Sequence, residues 1–435
     1  MTSIQLGFAG VGAVLLLLAL RVPIGVALGL VSMLGIAQLR GISVALGTLR
    51  TIPFEFAANW ALSAIPMFIL MGAIVHHSGI SVALFRAARL WLGWLPGGLA
   101  IATNFACAGF AAASGSSIAT SAAMGRIAIP QMLEHGYDKG LAAGVVASAG
   151  TLGALIPPSI LFILFGIFAE VSVTRLLIAG IFPGLLTAAV YTVMILVRAK
   201  LNPGLAPPVH TATDPRDKWR ALGSVWPLFL LILGIIGGLY AGLVTPTEAG
   251  GFGAFLAVMI VAFQRRLTWT MFKASVVEAT SVTSRLLFVA VGALLLSHFL
   301  ALSGLPRFLG SAIGTWALDP ILLVIAMSLI YVILGMFLDP LGILFLTLPI
   351  LLPMFEALNL DLIWLGVLVV KYLEIGLLTP PVGFQVYVVK SVVGDEIELE
   401  TIFKGVGWFL ACEVVIMTLL IAFPQISLYL PGKLV

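Results

Sequence analysis

The chain has 435 residues, of which 61% are hydrophobic and only 9% are charged, and its formal net charge is +4. A soluble domain carries about a quarter charged residues, so this composition excludes a sizeable soluble domain and indicates an all-α polytopic membrane protein. The small net charge does not suggest a nucleic-acid partner. The two cysteines, Cys107 and Cys412, provide neither a disulfide framework nor a metal-binding spacing.

Apolar spans alternate with short breaks through the first half of the chain. Spans are predicted at residues 5–20, 24–39, 60–77 and 176–197. Residues 40–59 are polar enough to predict a loop or a surface segment. Residues 81–92 are amphipathic and are typical of a helix that lies along the membrane interface.

A small, polar stretch interrupts this apolar sequence at residues 111–120, around Ser114-Gly115-Ser116-Ser117. The flanking arms have about 14 residues each, which is too short to cross a bilayer of about 30 Å, so residues 96–134 predict a re-entrant hairpin. Irregular backbone at membrane depth is tolerated where it lines a cavity or is buried in protein. The stretch is therefore a candidate binding site, and a small-residue packing seam is the alternative.

A broken helix follows the first hairpin. Residues 140–170 are apolar, but Pro157 and Pro158 remove two backbone donors and force the helix to unwind in its middle. Residues 198–220 form the only long hydrophilic segment and predict a linker between two halves of the chain.

The second half has the same order of features. Spans are predicted at residues 222–243, from 246 onward, at 283–302 and at 403–423, with an interface helix at 306–316. A second hairpin is predicted at about 319–357, and its turn contains Asp339. A second broken helix is predicted at about 361–391, with Pro380 and Pro381 at the break.

These similarities indicate an internal repeat, in which the second half matches the first at one fixed shift along the sequence. Four proline pairs share this shift, where chance gives roughly 0.6, and they lie in similar contexts. They are Pro23 with Pro246, Pro130 with Pro353, Pro157 with Pro380, and Pro158 with Pro381. We call the shift that these pairs share the repeat offset. The predicted domains are a first repeat (1–197), a linker (198–220) and a second repeat (221–435).

The distribution of Lys and Arg predicts the orientation of the two repeats. A cytoplasmic linker leaves few basic residues outside, namely Arg40, Arg50, Arg175, Arg307 and Lys433, which agrees with the positive-inside rule. The two hairpins then enter from opposite faces and the C-terminus is periplasmic. Inverted repeats with broken helices that meet at the midplane are typical of secondary transporters.

The two hairpin turns and the two helix breaks could bind ions and an anion. Unwound backbone offers carbonyl oxygens to a hard cation such as Na⁺, and freed N–H groups at helix ends suit a carboxylate. Asp339 is either a site residue or a hairpin cap. Arg126, Arg285 and Lys371 either neutralise an anion or snorkel to the interface. An intramembrane serine enzyme is a weak alternative, because Ser114 lacks a nucleophile elbow and a placed His–Asp pair.

Several motifs, in this order, resemble those of the large membrane subunit of TRAP (tripartite ATP-independent periplasmic) transporters. They are Ser114-Gly115-Ser116-Ser117 with Thr120, Pro130-Gln131-Met132, Gly136-Tyr137-Asp138, Gly150-Thr151-Leu152-Gly153 with Pro157-Pro158-Ser159, Thr245-Pro246-Thr247-Glu248, and Leu378-Thr379-Pro380-Pro381-Val382-Gly383. The resemblance covers nearly the whole chain.

The resemblance implies an ion-transporter-superfamily fold with an elevator architecture in a bacterial inner membrane. It implies Na⁺-coupled symport of an organic acid, with two or more coupling Na⁺ ions and no organic cofactor, and no enzymatic activity. A periplasmic binding protein would deliver the substrate, and a small four-helix membrane subunit, expected as a separate chain, would complete the complex. A stand-alone Na⁺/dicarboxylate symporter of the same superfamily is the nearest alternative. The sequence does not identify the acid.

The resemblance also implies the positions of the binding sites. The first Na⁺ site is expected at the first hairpin and its broken helix: Ala112, Ser114, Gly153, Ile156 and Ser159. The second is expected at the equivalent place in the second repeat: Gly335, Gly376, Thr379 and Val382. The substrate is expected between the two turns: Ser116, Ser117, Thr120 and Asp339.

Overall fold

The long apolar stretches fold into helices in the computed structural model, which describes residues 2–208, 214–315 and 320–433. No strand occurs within these ranges, so the prediction of an all-α protein is confirmed. In the first half the helices are α1 Ser3–Ala19, α2 Ile24–Arg40, α3 Ile42–Ala57, α4 Ala64–His77, α5 Ile80–Leu92, α6 Gly98–Ser114, α7 Ser117–Glu134, α8 Lys139–Gly150, α9 Ile160–Phe168, α10 Val173–Ala179, α11 Ile181–Leu201 and α12 Pro215–Gly223.

The second half continues with eleven further helices among the described residues. They are α13 Trp226–Ile232, α14 Gly238–Tyr240, α15 Pro246–Phe263, α16 Trp269–Ser303, α17 Leu305–Thr315, α18 Pro320–Gly335, α19 Pro340–Ala357, α20 Leu362–Leu378, α21 Phe384–Val393, α22 Leu399–Ala422 and α23 Gln425–Leu428. Short 3₁₀ turns occur at Trp60–Ser63, Thr151–Ala154, Pro203–Leu205, Gly394–Glu396 and Pro431–Lys433, and Leu233–Gly237 is a π-helical turn between α13 and α14.

Among the described residues, six helical segments are long and apolar enough to cross a membrane, or seven if the bent pair Pro215–Gly223 and Trp226–Tyr240 forms one span. They are Trp60–His77, Val173–Leu201, Pro246–Phe263, Trp269–Ser303, Pro340–Ala357 and Leu399–Ala422. The prediction of a polytopic membrane protein is therefore confirmed.

Both hairpins are present, and the arms of the first are longer than the sequence suggested. The first consists of α6 and α7, with 17 and 18 residues, and the second consists of α18 and α19, with 16 and 18 residues. The expected length of about 14 residues was wrong because Ala111, Ala112 and Ala113 favour helix and extend α6 to Ser114. Gly115, at φ +62°, then ends that helix in the left-handed conformation that glycine adopts most easily.

Both broken helices are also present, and they match at the repeat offset. Asp138 caps α8 by accepting from the Leu141 N–H at 2.8 Å, and Asp361 caps α20 by accepting from the Ile363 N–H at 2.8 Å. The first broken helix unwinds after the turn Thr151–Ala154 and resumes as α9. The second broken helix unwinds after Leu378 and resumes as α21. Both Pro-Pro peptide bonds, Pro157–Pro158 and Pro380–Pro381, are cis.

The predicted loop at residues 40–59 was wrong, because most of this segment is helix α3. Its hydroxyl groups fit within a helix: Thr48 donates to the Val44 carbonyl at 2.9 Å, and Thr51 donates to the Gly47 carbonyl at 3.2 Å. The equivalent segment of the second half runs without interruption into the 35-residue helix α16. In the first half the chain breaks at Asn59, whose side chain accepts from the Ala61 N–H at 3.0 Å and starts a new helical turn.

Helices reach into both ends of the segment between the halves. Helix α11 extends to Leu201, and α12 begins at Pro215 after the cap Asp214. Residues 209–213 of the predicted linker lie outside the described residues. The two amphipathic helices, α5 and α17, each pack beside one hairpin, α5 against α6 and α17 against α19. The two hairpins, the two broken helices and the long helix α16 enclose the candidate site.

Candidate transport site between the two hairpins

The turn of the first hairpin is held together by its own hydroxyl groups. Ser116 caps α7, and its Oγ accepts from the Ala119 N–H at 3.4 Å. The Thr120 hydroxyl donates to the Ser116 carbonyl at 2.8 Å and lies 3.0 Å from the Ser114 Oγ. Thr120 is fully buried behind the turn, so its observed contacts fix the shape of the turn.

The break of the first broken helix lies directly against this turn. A Cβ atom at Gly153 would lie 2.6 Å from the carbonyl carbon of Ser116, so only glycine allows the two backbones to approach this closely. A Cβ atom at Gly115 would likewise collide with the Pro158 carbonyl oxygen. Of the remaining residues predicted for the first cation site, Ala112 and Ser159 are buried, and Ile156 packs against Gly184.

The second hairpin and its broken helix make the equivalent contact. A Cβ atom at Gly335 would lie 2.6 Å from the Cα of Gly376, and one at Gly376 would lie 2.5 Å from the Cα of Gly335. Thr379 ends α20 with its hydroxyl donated to the Ile375 carbonyl at 2.7 Å, and Val382, in the break, is 38% exposed. The fold therefore brings Gly335 and Gly376 together, with Thr379 and Val382 in the adjoining break.

Both contact regions have the chemistry that a hard monovalent cation requires. Each combines unwound backbone with a hydroxyl side chain, Ser114 in the first half and Thr379 in the second, and oxygen atoms are the ligands that such cations prefer. No group of three or more His, Cys, Asp or Glu side chains close enough to hold a metal ion occurs in the described ranges. Carbonyl and hydroxyl oxygens are thus the available donors.

A cavity of about 300 Å³ lies between the two halves. Four helices begin at its wall: α7, α9, α19 and α21 contribute their first residues, and each N-terminus carries partial positive charge. The lining residues are Gly115, Ser116, Ser117, Ile118, Ala154, Ile160, Leu161, Val282, Leu286, Asp339, Pro340, Leu341, Glu374, Leu377 and Phe384. Three of the four predicted substrate residues are among them, and Thr120 is not.

Asp339 is both a helix cap and a residue of the cavity wall. Its Oδ2 accepts from the Leu341 N–H at 3.2 Å and the Gly342 N–H at 3.4 Å at the start of α19. Its Oδ1 is buried and has no hydrogen-bond partner in the structure. The two interpretations of this carboxylate are therefore compatible, since one oxygen caps the helix and the residue also lines the cavity.

Sequence reasoning missed Glu374, a second carboxylate in the cavity wall. Glu374 is only 1% exposed, its Oε1 accepts from the Ser117 hydroxyl at 3.0 Å, and its Oε2 is buried without a partner. The available signal was an acidic residue inside an apolar span, because ionisable groups at membrane depth mark functional sites.

The basic residues at membrane depth do not reach the cavity wall. Lys371 is completely buried, and its Nζ donates to the Glu413 carboxylate at 2.7 Å, where the Tyr191 hydroxyl also donates. Both interpretations of Lys371, snorkelling and neutralising a bound anion, are therefore wrong: it neutralises a carboxylate of the protein. Arg126 and Arg285 are exposed, and Arg285 donates to the Ser281 hydroxyl at 2.8 Å.

Comparison with known proteins identifies the family. Residues 11–426 match the family described as the DctM component of the tripartite ATP-independent periplasmic transporter. The C4-dicarboxylate TRAP transporter large permease protein DctM of Pseudomonas aeruginosa is 35% identical over 384 residues, which cover 88% of each chain. The isethionate TRAP transporter permease protein DctMQ of Oleidesulfovibrio alaskensis is 32% identical over 420 residues, which cover 96% of this chain and 65% of that protein.

The fold is similar to that of a solved transporter. The crystal structure of the YdaH transporter of Alcanivorax borkumensis matches with a TM-score of 0.61 over 90% of each chain, at 17% identity, which supports the fold alone. The resemblance to TRAP transporters that the hairpin and proline motifs suggested is confirmed by the match over residues 11–426. The chain therefore belongs to the family of TRAP transporter large permeases, the DctM components, and is a transport protein rather than an enzyme.

Proposed function

We propose that this permease takes up an organic acid together with Na⁺, and that the acid binds in the cavity between the two hairpins. The single observation that carries the proposal is the convergence of four helix N-termini on that cavity, between two glycine-lined helix breaks. The relatives are named for the transport of C4-dicarboxylates and isethionate, which are carboxylate and sulfonate anions.

Helix ends supply part of the positive potential that a bound anion needs. Among the residues that line the cavity none is Lys or Arg, so a bound carboxylate or sulfonate would be held by N–H groups and hydroxyls, including those of Ser116 and Ser117. Each N-terminus is equivalent to about half a positive charge within its first turn. Together the four ends are equivalent to about two positive charges, which offset the carboxylates of Asp339 and Glu374 in the same wall, and the two proposed Na⁺ ions would add the remaining attraction for an anion.

We propose one Na⁺ site in each half, next to the place where a hairpin turn meets its helix break. The first would use oxygens of Ala112, Ser114, Gly153, Ile156 and Ser159, and the second would use oxygens of Gly335, Gly376, Thr379 and Val382. The close glycine contacts support this proposal, because they bring unwound backbone from two helices to one point. Two coupling ions would also offset the negative charge of the acid during transport.

We propose that each hairpin and its broken helix move together, in an elevator-type mechanism. Backbone contact at Gly153 and at Gly335–Gly376 makes each pair a close-packed unit. Val282 and Leu286 of the long helix α16 close the cavity with apolar side chains. Sliding of the two units past such an apolar surface would carry the cavity from one face to the other without breaking polar contacts there.

The proposed system has two further components. A periplasmic binding protein would deliver the acid, and a small membrane subunit would be a separate chain in the bacterial inner membrane, with the C-terminus of this chain in the periplasm. The name DctMQ and the larger size of the isethionate relative support a second membrane component. A stand-alone symporter would instead transport without either partner.

The proposal predicts Na⁺-driven uptake that depends on the binding protein. We expect proteoliposomes containing this chain and the small subunit to accumulate a labelled carboxylate or sulfonate only with the cognate binding protein and an inward Na⁺ gradient. Replacing Na⁺ by choline should reduce accumulation to background. Undiminished uptake without Na⁺ would contradict the coupling, and uptake without the binding protein would favour a stand-alone symporter.

Asp339→Asn tests whether this carboxylate contacts the substrate. Asn is as good a helix cap as Asp, so we expect the free energy of unfolding to change by less than about 0.5 kcal/mol. The loss of the charge in the cavity wall should change the half-saturating substrate concentration by at least about threefold, since hydrogen bonds to charged groups contribute about 1.5–3 kcal/mol. If Asp339→Asn showed wild-type uptake kinetics, Asp339 would act only as a helix cap and would not contact the substrate.

A further inference from the structure

Ser117, in the first half, is bonded to two side chains from the second half. The Ser117 hydroxyl donates to the Glu374 Oε1 at 3.0 Å, and the Gln385 Nε2 donates to the Ser117 carbonyl at 2.8 Å. Gln385 also bonds to the Ser121 hydroxyl at 2.5 Å, one turn further along α7. All four side chains are buried. We call these contacts of Ser117 with Glu374 and Gln385 the Ser117 bridge.

The two second-half residues of the bridge lie on either side of the second helix break. Glu374 lies two residues before Gly376, and Gln385 lies two residues after Gly383, so the two residues bracket the unwound segment. Any rearrangement of that segment changes the separation of Glu374 and Gln385. Because both bind the same residue, such a change is transmitted directly to Ser117.

The other end of the bridge lies at the first cation site. The backbone N atom of Ser117 would lie 2.7 Å from a Cβ atom at Gly153, so Ser117 is part of the contact between the first turn and the first break. The bridge therefore joins the two candidate cation sites through one residue. A shift of Ser117 changes the position of the Ser116 carbonyl, which is in the same contact.

The bridge has no copy at the matching positions of the repeat. At the repeat offset, Ser117 corresponds to Pro340, Gln385 to Phe162 and Glu374 to Thr151. Pro340 and Phe162 cannot make the side-chain bonds that Ser117 and Gln385 make. Phe162 instead packs with its ring against Gly180. The Ser117 bridge is therefore specific to one of the two equivalent positions and does not follow from the repeat itself.

We propose that Ser117, Glu374 and Gln385 are positioning residues that couple the two Na⁺ sites, so that an ion in the second site raises the affinity of the first. This inference rests on the proposed Na⁺ coupling. Buried hydrogen bonds have few alternative geometries, so the bridge favours one joint arrangement of both sites. Coupling of binding sites is reciprocal, so Na⁺ at either site strengthens binding at the other.

Gln385→Leu tests the coupling, because it removes both amide bonds and keeps most of the volume. Na⁺ is titrated into the purified complex of this chain and its small subunit, and the thermal midpoint is recorded at each concentration; the Na⁺ dependence of uptake is measured in parallel. For the wild type we expect a sigmoidal response with a Hill coefficient of about 2, the number of coupled sites. For Gln385→Leu we expect a coefficient of about 1 and a half-saturating Na⁺ concentration at least about fivefold higher.

Two further variants separate the bridge from general damage. Ser117→Ala removes the bond to Glu374 and also the hydroxyl proposed to contact the acid, so its Hill coefficient is taken from the thermal midpoint without substrate. This coefficient should also fall, and the variant replaces Gln385→Leu if that variant does not fold. Asn104→Leu is the matched control, since Asn104 is a buried amide that donates to the Ala188 carbonyl at 2.8 Å on the neighbouring helix α11. This control should keep the wild-type coefficient while lowering stability.

The outcomes distinguish the inference from the proposed function. A sigmoidal response in Gln385→Leu and Ser117→Ala, a hyperbolic response in the wild type, or an equal loss in Asn104→Leu would each contradict the bridge and leave Na⁺ coupling intact. A wild-type complex whose thermal midpoint and uptake ignore Na⁺ would contradict the proposed function itself.

Discussion

Lys371→Met is expected to lower the free energy of unfolding by about 3–5 kcal/mol, since it leaves the buried carboxylate of Glu413 without its partner. Lys371 is fully buried, Glu413 is 2% exposed, and their atoms lie 2.7 Å apart. The Tyr191 hydroxyl bonds to the same carboxylate but carries no positive charge. The ion pair joins α20, the first part of the second broken helix, to α22. Loss of the pair should therefore also loosen α20, the helix that carries Glu374.

Thermal or denaturant unfolding of the purified complex measures this effect. Lys404→Met is the matched control, because Lys404 lies exposed on α22 and a surface substitution changes stability by about 0.5 kcal/mol or less. The double variant Lys371→Met with Glu413→Gln removes both charges and keeps an acceptor for Tyr191, so we expect it to recover at least half of the loss. A Lys371→Met variant as stable as Lys404→Met would show that this ion pair contributes nothing.

The hairpins and broken helices were predictable because their signals are local. Two adjacent prolines interrupt a helix when they fall within its interior, and the small polar residues of Ser114-Gly115-Ser116-Ser117 favour a break at the first turn. The match of Pro157 with Pro380 then located both breaks. Local signals also have limits: residues 40–59 looked like a loop, yet their threonine hydroxyls are satisfied by the preceding turn within α3.

The parts of the site that sequence reasoning missed depend on contacts between distant residues. Glu374 and Ser117 are 257 positions apart, and Gln385 and Ser117 are 268 positions apart. No periodicity or repeat predicts such a contact, since the matching residues Thr151, Pro340 and Phe162 have different chemistry. Lys371 was noticed as a charge in an apolar span, but its partner Glu413 lies on another helix, and only the packing of α20 against α22 brings the two together.

The repeat nevertheless explains why both proposed cation sites centre on glycines. Gly153 and Gly376 are equivalent by the repeat offset, and each lies against the end of its own hairpin. Neither has a positive φ angle, so their role is steric rather than conformational. The close approach in the second half involves Cα atoms on both sides, so no flexible side chain can move away to accommodate a larger residue there.

Gly376→Ala is therefore expected to separate the second hairpin from its broken helix. The new Cβ would lie 2.5 Å from the Cα of Gly335, a distance that backbone must relieve by moving. Such overpacking costs about 1–3 kcal/mol, and the displaced carbonyl groups should lose their Na⁺ affinity. We expect lower stability in the absence of Na⁺, at least about a tenfold higher half-saturating Na⁺ concentration, and little uptake, because a shift of about 1 Å is enough to spoil a preorganised site.

Gly407→Ala provides the matched control for this substitution. Gly407 lies within α22 with no atom within 4 Å of a Cβ built on it, so alanine there should stabilise the helix by up to about 1 kcal/mol and leave Na⁺ dependence unchanged. Gly153→Ala should reproduce the defect in the first half, since its Cβ would meet the Ser116 carbonyl carbon at 2.6 Å. If Gly376→Ala kept wild-type Na⁺ dependence while Gly153→Ala lost it, only the first of the two proposed cation sites would be retained. If both variants lost the Na⁺ dependence and Gly407→Ala kept it, Na⁺ binding would depend on the two places where a hairpin and a broken helix are in contact through glycine.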